Sequence, residues 1–188
     1  NFTKKFGYEG FVRLDKKNKS EANMVLFNEN FRTIQCNCWN PKIRLDEMQN
    51  LDIDIQVISP IPIMFSYWAE PKDALEQSQL INDFISDVCI KYPKKFIGLG
   101  TIPMQSIDYS LKELERCKND LNLQGIEIGS NINNQNLNEE QYYDIFAACE
   151  DLSMSVFIHP WQMMGMSKMK KYWLPWLIGM PAETTRAI

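Results

Sequence analysis

The sequence predicts an α/β fold: a parallel sheet with crossover helices, preceded by a short antiparallel segment. Two observations predict it. From Asn40 onward, apolar runs of strand length alternate with runs of helical period, in the order α, β, α, β, α, β, α, β, α. Before Cys36, by contrast, the apolar runs are short and separated by turn-forming residues.

Each element has its own signal. Phe11–Leu14, Met24–Phe27 and Phe31–Ile34 read as short strands, with Asn28-Glu29-Asn30 as a hairpin loop and Lys16–Asn23 as an exposed loop. Asn40-Pro41 opens a helix, because Asn caps and Pro suits the first helical position. That helix carries Ile43, Leu45 and Met48 and ends near Asn50. Ile53–Ile58 is a strand stopped by Ser59-Pro60. The periodicity predicts a helix from Leu75 to Tyr92, with Leu80, Ile81, Phe84, Ile85 and Val88 on one face. Phe96–Gly100 and Gly125–Gly129 are strands on either side of a helix striped by Leu111, Leu114, Lys118 and Leu121. Asn138 with Gln141 resembles a capping box for a helix burying Tyr142, Ile145, Phe146 and Cys149. Ser155–Ile158 is the last strand and ends at His159-Pro160. The remaining stretch, Lys168–Ile188, reads as helix broken or kinked at Pro175 and Pro181.

Composition narrows the function classes. With 188 residues, 45% hydrophobic and 23% charged, the chain can bury a real core. A net charge of -4 supplies no basic field for nucleic acid. The longest apolar stretches, Val57–Phe65 and Trp173–Met180, are too short and too interrupted to span a membrane. Five scattered cysteines (Cys36, Cys38, Cys89, Cys117 and Cys149) fit free thiols in a reducing cytosol rather than a disulfide framework. Cys36 and Cys38 read as two side chains on opposite faces of an extended segment, not as half of a zinc site.

Two closures of the parallel sheet stay open on pattern alone, doubly wound or barrel. No Gly-rich phosphate turn follows a strand, which weakens the dinucleotide-binding version. A complete barrel needs about 200 residues or more, and four strand–helix units make about half of one. Half a barrel leaves open strand edges. The expectation is one structural domain incomplete at both ends: residues 1–35 an antiparallel insertion, residues 36–188 part of the barrel.

Few residues could carry chemistry. His159 is the only histidine and sits at the C-terminal end of a predicted strand, where (β/α) barrels hold their active sites. Imidazole suits a catalytic metal, although a strand-end histidine can equally be satisfied by a nearby backbone carbonyl. Arg32 lies in the apolar run Phe31–Ile34, so a carboxylate partner is expected, from the protein or from a substrate, and the pattern alone favours a surface salt bridge. Among Phe65, Tyr67, Trp68, Trp161, Trp173 and Trp176, most should be packing residues. Trp161, two residues after His159, is the one expected near a site.

Several stretches are more specific. They are Glu47–Val57, Pro62–Ala69, Tyr92–Thr101, Ile158-His159-Pro160-Trp161 and Lys171–Leu177. Together they resemble the decarboxylases of the amidohydrolase superfamily that act in tryptophan breakdown. The resemblance implies a partial (β/α)8 TIM barrel of amidohydrolase type, with a small antiparallel β insertion near the N-terminus. It implies one zinc ion, with His159 as the metal ligand from a middle strand. It implies Arg32 as the catalytic arginine gripping a substrate carboxylate, and Trp176 lining the substrate pocket with Trp161. It also implies a small-molecule carboxylate substrate, a cytosolic enzyme and a homodimer when intact. No His-x-His pair and no second histidine occur here, so the chain is expected to be a truncated piece, inactive alone. Two alternatives are a related decarboxylase or hydrolase acting on another carboxylate, and a non-catalytic half-barrel that binds or regulates a partner.

Overall fold

In the computed structural model, which describes residues 1–187, the chain divides into two units. The first holds Asn1–Ile58 and Asp87–Ile97, the second Ser59–Ser86 and the chain from Gly98 onward.

Local chemistry sets the elements of the first unit. Asn1 caps α1 (Phe2–Phe6), and Gly7 ends it at φ +83°. The rings of Phe6, Tyr8 and Phe11 then cluster at centroid distances of 5.3 to 6.5 Å. Phe11 is therefore a buried packing residue, and the first strand, β1 (Arg13–Lys16), starts later than the sequence suggests. β2 (Glu21–Leu26) pairs antiparallel with β1 and with β3 (Glu29–Gln35). The hairpin turn falls on Phe27 and Asn28, not on residues 28–30. Both adopt positive φ, 49° and 62°, the geometry whose twist matches antiparallel strands. Only residues 17–20 form the exposed turn, because Asn18 Oδ1 accepts from Ser20 and Glu21 N–H (2.7 and 2.9 Å) and returns the chain into β2. Cys36 and Cys38 lie in a 3-10 turn rather than an extended segment.

α2 (Pro41–Asn50) begins as expected, with Asn40 Oδ1 accepting from Lys42 N at 3.1 Å. Ile53 is not yet strand: its N–H bonds back to Met48 O at 2.8 Å to close the helix end, with Asp52 in the left-handed region. β4 is thereby shortened to Gln56–Ile58. α3 (Pro71–Lys91) and β5 (Phe96–Gly100) each run from one unit into the other. In the first unit, Met48, Val88 and Phe96 form a buried cluster with Leu45, Ile53 and Ile58, and Gln56 N–H donates to Lys95 O at 2.9 Å.

The second unit continues with α4 (Ile107–Asn119), β6 (Gly125–Gly129), the short ladder β7 (Asn131–Ile132) and β8 (Gln135–Asn136), α5 (Tyr143–Asp151), β9 (Ser155–His159) and α6 (Met180–Ala187). β5 pairs parallel with β6, and β6 parallel with β9. In β6, every residue is buried, as expected of a strand covered on both faces. One face of the sheet is set by Gly100, paired with Ile126. A methyl group at Gly100 would stand 2.9 Å from Asn82 Oδ1 and 3.0 Å from Cys117 Sγ, so α3 and α4 pack directly on the backbone here.

That close approach corrects two predicted helix faces. Leu80 and Phe84 are more than half exposed. The buried row of α3 is Ala74, Ser78, Asn82 and Ile85, because small and polar side chains fit against a glycine strand. Asn82 Nδ2 donates to Thr101 O (2.8 Å) and Glu113 Oε1 (2.7 Å), and its Oδ1 accepts Thr101 N–H (2.8 Å). The α4 stripe is likewise Ser110, Glu113, Leu114 and Cys117, sharing Leu114 with the predicted one. Asn138 is not a cap, since a 3-10 turn at Glu140–Tyr142 precedes α5 and Gln141 donates to Gln135 instead. Phe146 is half-buried on α5 while Ile145 and Cys149 are its buried residues. Pro175 opens a π-helical turn, Pro175–Gly179, that runs directly into α6, and Pro181 is the second residue of α6; the helix is thus irregular between the two prolines rather than broken at either. Ile188, the predicted end of this stretch, lies outside the described residues.

Asn82→Ala would strand the buried Thr101 N–H and C=O, while Glu113 Oε1 keeps its bond from Arg116. It should lower stability by about 2–4 kcal/mol in urea unfolding. A loss below about 0.5 kcal/mol would show that water replaces the amide there.

Candidate metal and substrate site at the strand ends

The parallel register builds the site. Gly125, Glu127 and Gly129 of β6 stand beside Ser155, Phe157 and His159 of β9, and partners in register share a face. Ile126 and Ile128, paired with Val156 and Ile158, take the opposite face and are fully buried. Glu127 and His159 therefore occupy one face towards the C-terminal ends of their strands, with Phe157, 48% exposed, on the same face.

His159 is partly buried. Its ring meets Phe157 edge-on at 6.4 Å, and its Nδ1 lies 2.9 Å from Pro160 O. A carbonyl only accepts, so Nδ1 carries the hydrogen and Nε2 keeps its lone pair for a ligand. Of the two readings open in the sequence, the backbone contact is the one seen, at Nδ1.

Glu127 was not singled out from the sequence. The signal was a carboxylate in the middle of the apolar strand Gly125–Gly129. It is 1% exposed, and its Oε2 has no hydrogen-bond partner. Burial raises its pKa above the usual carboxylate range, opposed by a hydrogen bond with Ser59.

Trp161 lies beside the end of β6. Its indole packs on Gly129, where an added methyl would stand 3.0 Å away, and meets Phe65 edge-on at 5.6 Å. Phe65 stacks on Tyr67, whose hydroxyl accepts Gly129 N–H at 2.9 Å. Behind Trp161 is a second buried carboxylate that the sequence did not disclose, Glu183 of α6. It accepts from Ser130 Oγ (3.2 Å), Asn131 Nδ2 (3.1 Å), Met164 N–H (3.2 Å) and Arg186. Burial alone would raise its pKa, but the Arg186 and Met164 hydrogen bonds hold it below the usual range. Nothing in the stretch Met180–Ala187 marks this glutamate as buried, since its partners come from distant turns.

The other two predicted residues are placed differently. Trp176 is half exposed and tilts against Trp173 at 5.1 Å. Arg32, in the first unit, is exposed rather than set among buried side chains. Its guanidinium lies over the Phe31 ring at 5.9 Å. The surface position that the pattern favours is the one seen, since β3 is exposed along most of its length. Among the described residues, no group of three or more His, Cys, Asp or Glu could hold a metal ion, and no helix is long and apolar enough to cross a membrane.

A parallel strand–helix repeat with a histidine at the C-terminal end of its last parallel strand belongs to the (β/α)-barrel class. The amidohydrolase family model matches residues 34–188, and the chain belongs to that family. It is 50% identical, over its whole length, to 2-amino-3-carboxymuconate-6-semialdehyde decarboxylase of Dictyostelium discoideum, covering 52% of that protein. It is 30% identical to the Caenorhabditis elegans protein of the same name, covering 59% of it. The chain thus spans a little over half the length of these relatives. Among solved structures, a 5-carboxyvanillate decarboxylase from Novosphingobium aromaticivorans with bound manganese matches 76% of this chain and 42% of its own. The TM-score is 0.70 at 28% identity. The fold class is therefore as the sequence implied: a partial (β/α)8 barrel of amidohydrolase type with an antiparallel insertion near the N-terminus.

The raised pKa of Glu127 has a defined sign in stability. The folded state holds its proton more tightly than the unfolded chain, so this stability is present below the ordinary carboxylate pKa and is lost as pH rises through the raised value. Glu127→Gln should match the wild type below about pH 4 and exceed it in urea midpoint towards neutrality. A gap independent of pH would remove burial as the governing cause.

Proposed function

We propose that the protein carrying this chain is a divalent-metal-dependent, non-oxidative decarboxylase of 2-amino-3-carboxymuconate 6-semialdehyde in tryptophan (kynurenine) catabolism. The observation that carries the reading is His159, placed at the C-terminal end of a parallel strand with Nδ1 engaged and Nε2 free. The 50% identity to a decarboxylase of that name supports the substrate. Zinc is the metal proposed, and the proposal extends to a cytosolic homodimer.

The chain's own groups fit one position of such a site. His159 Nε2 would hold the cation, and the unpartnered Oε2 of Glu127 offers a buried acceptor on the same face. When bound, the cation supplies Lewis acidity and lowers the pKa of water. Phe157, Trp161 and Phe65 give that face apolar walls that limit water around a conjugated substrate. Trp161 is proposed as a substrate-facing residue, with Trp176 as a second. Arg32, exposed and charged, is proposed to grip a substrate carboxylate with its planar fork. Decarboxylation needs no oxidant: the C–C bond breaks, its electron pair stays on the substrate carbon, and a proton replaces carbon dioxide there.

The test uses the whole protein, with metal content and carbon dioxide release measured on a panel of carboxylates that includes 5-carboxyvanillate. His159→Ala should lose bound metal and at least about a hundredfold in rate. Arg32→Ala should lose about tenfold or more in kcat/KM, the worth of one charged hydrogen bond. Release from aromatic carboxylates alone would replace the proposed substrate, and metal-independent turnover would overturn the mechanism.

A further inference from the structure

We infer that Glu183 is a positioning residue that sets the tautomer and orientation of His159, acting through Ser130 and the Pro160–Trp161 peptide group. Ser130 Oγ has one hydrogen, and two acceptors compete for it: Glu183 Oε1 at 3.2 Å and Trp161 O at 3.3 Å. Asn131 Nδ2 has two and serves both of these acceptors, Trp161 O at 2.7 Å and Glu183 Oε1 at 3.1 Å. The charge decides: the Ser130 hydrogen goes to the carboxylate, where the bond is charge-assisted. Fixed in that direction, Ser130 turns a lone pair to Trp161 N–H, which donates to it at 2.9 Å.

That N–H and the Pro160 carbonyl belong to one planar peptide group and point in opposite directions. Holding the N–H on Ser130 aims the carbonyl at His159 Nδ1, 2.9 Å away. The strand side is held as well, since Ser130 N–H donates to His159 O at 2.9 Å. Glu183 Oε2 ties down the far end of the same loop through Met164 N–H. A histidine in water favours the Nε2–H form, so the fold selects the less favoured tautomer, the one that leaves Nε2 bare. A buried carboxylate three hydrogen bonds away thus decides which nitrogen is offered. That the bare Nε2 serves a metal rests on the proposed function; the tautomer does not.

His159 is the only histidine, so the ring resonances of the 15N-labelled chain identify themselves. The 15N shifts of the neutral ring distinguish the two tautomers without metal or substrate, so this test can fail while the decarboxylase reading stands, and the reverse. The wild-type chain should show the Nδ1–H form. Glu183→Gln removes the charge that directs Ser130, and Ser130→Ala removes the acceptor while leaving Glu183 its bonds to Arg186 and Met164. Both should shift the ring to mainly Nε2–H, with near-ultraviolet circular dichroism confirming the fold. If Glu183→Gln does not fold, Ser130→Ala decides. An Nε2–H wild type, or a folded variant that keeps Nδ1–H, overturns the inference.

Discussion

The structure of the second unit depends on how closely β6 and β9 approach. At Gly125 an added methyl would stand 2.3 Å from the backbone oxygen of Ser155, so only glycine permits the pairing at this point. The ladder then runs in register to Gly129 and His159. Gly129 repeats the device at the other end, where its bare α-carbon receives the Trp161 ring. A side chain at either position would move the histidine relative to its neighbours. The placement of the site is thus a backbone property first, and the chemistry is added to it.

Buried polar groups sort into two kinds around this frame. Asn82 and Glu183 are fully engaged and join elements distant in sequence. Asn82 ties α3 to the end of β5 and to α4, and Glu183 ties α6 to the turn after β6 and to the loop after β9. Glu113 belongs with them through Arg116, which also reaches Asp83. Such groups fix one arrangement because a shifted element would leave several buried partners unsatisfied at once. Glu127 is the other kind. It is as buried as Glu183, yet one oxygen is idle and its pKa moves the opposite way. An idle buried carboxylate costs stability and is retained where it faces chemistry rather than packing.

The sequence disclosed the succession of elements better than their faces. Phe96–Gly100 and Gly125–Gly129 coincide with β5 and β6, because short apolar runs bounded by glycine and turn residues have few other solutions. The α3 and α4 stripes were right in part: Ile85, Val88 and Leu114 are buried as expected, while Leu80 and Phe84 are not. Hydropathy ranks Leu80 and Phe84 above Ser78 and Asn82, and it cannot know that a glycine strand leaves room only for small or hydrogen-bonding side chains. His159 was legible from its place after a strand, and Trp161 from its distance to it. Arg32 was legible as a residue of interest and its surface position as the one the pattern favours, although the apolar pattern of a sheet does not reveal which face is covered. Glu183 was illegible because all its partners but Arg186 lie at least nineteen residues away in sequence.

A single imidazole is a weak ligand unless the fold has spent order on it beforehand. Here the order comes from both sides of the peptide that follows it: the strand register holds the main chain of His159, and the Ser130, Asn131 and Glu183 cluster holds the loop beyond. Neither needs a ligand to be in place. The histidine is therefore pre-oriented by elements that lie wholly within this unit, and a cation or substrate arriving there would not have to supply that ordering from its own binding energy. Orientation of the ring is thus local to this unit and does not depend on what the proposed function would bring to it.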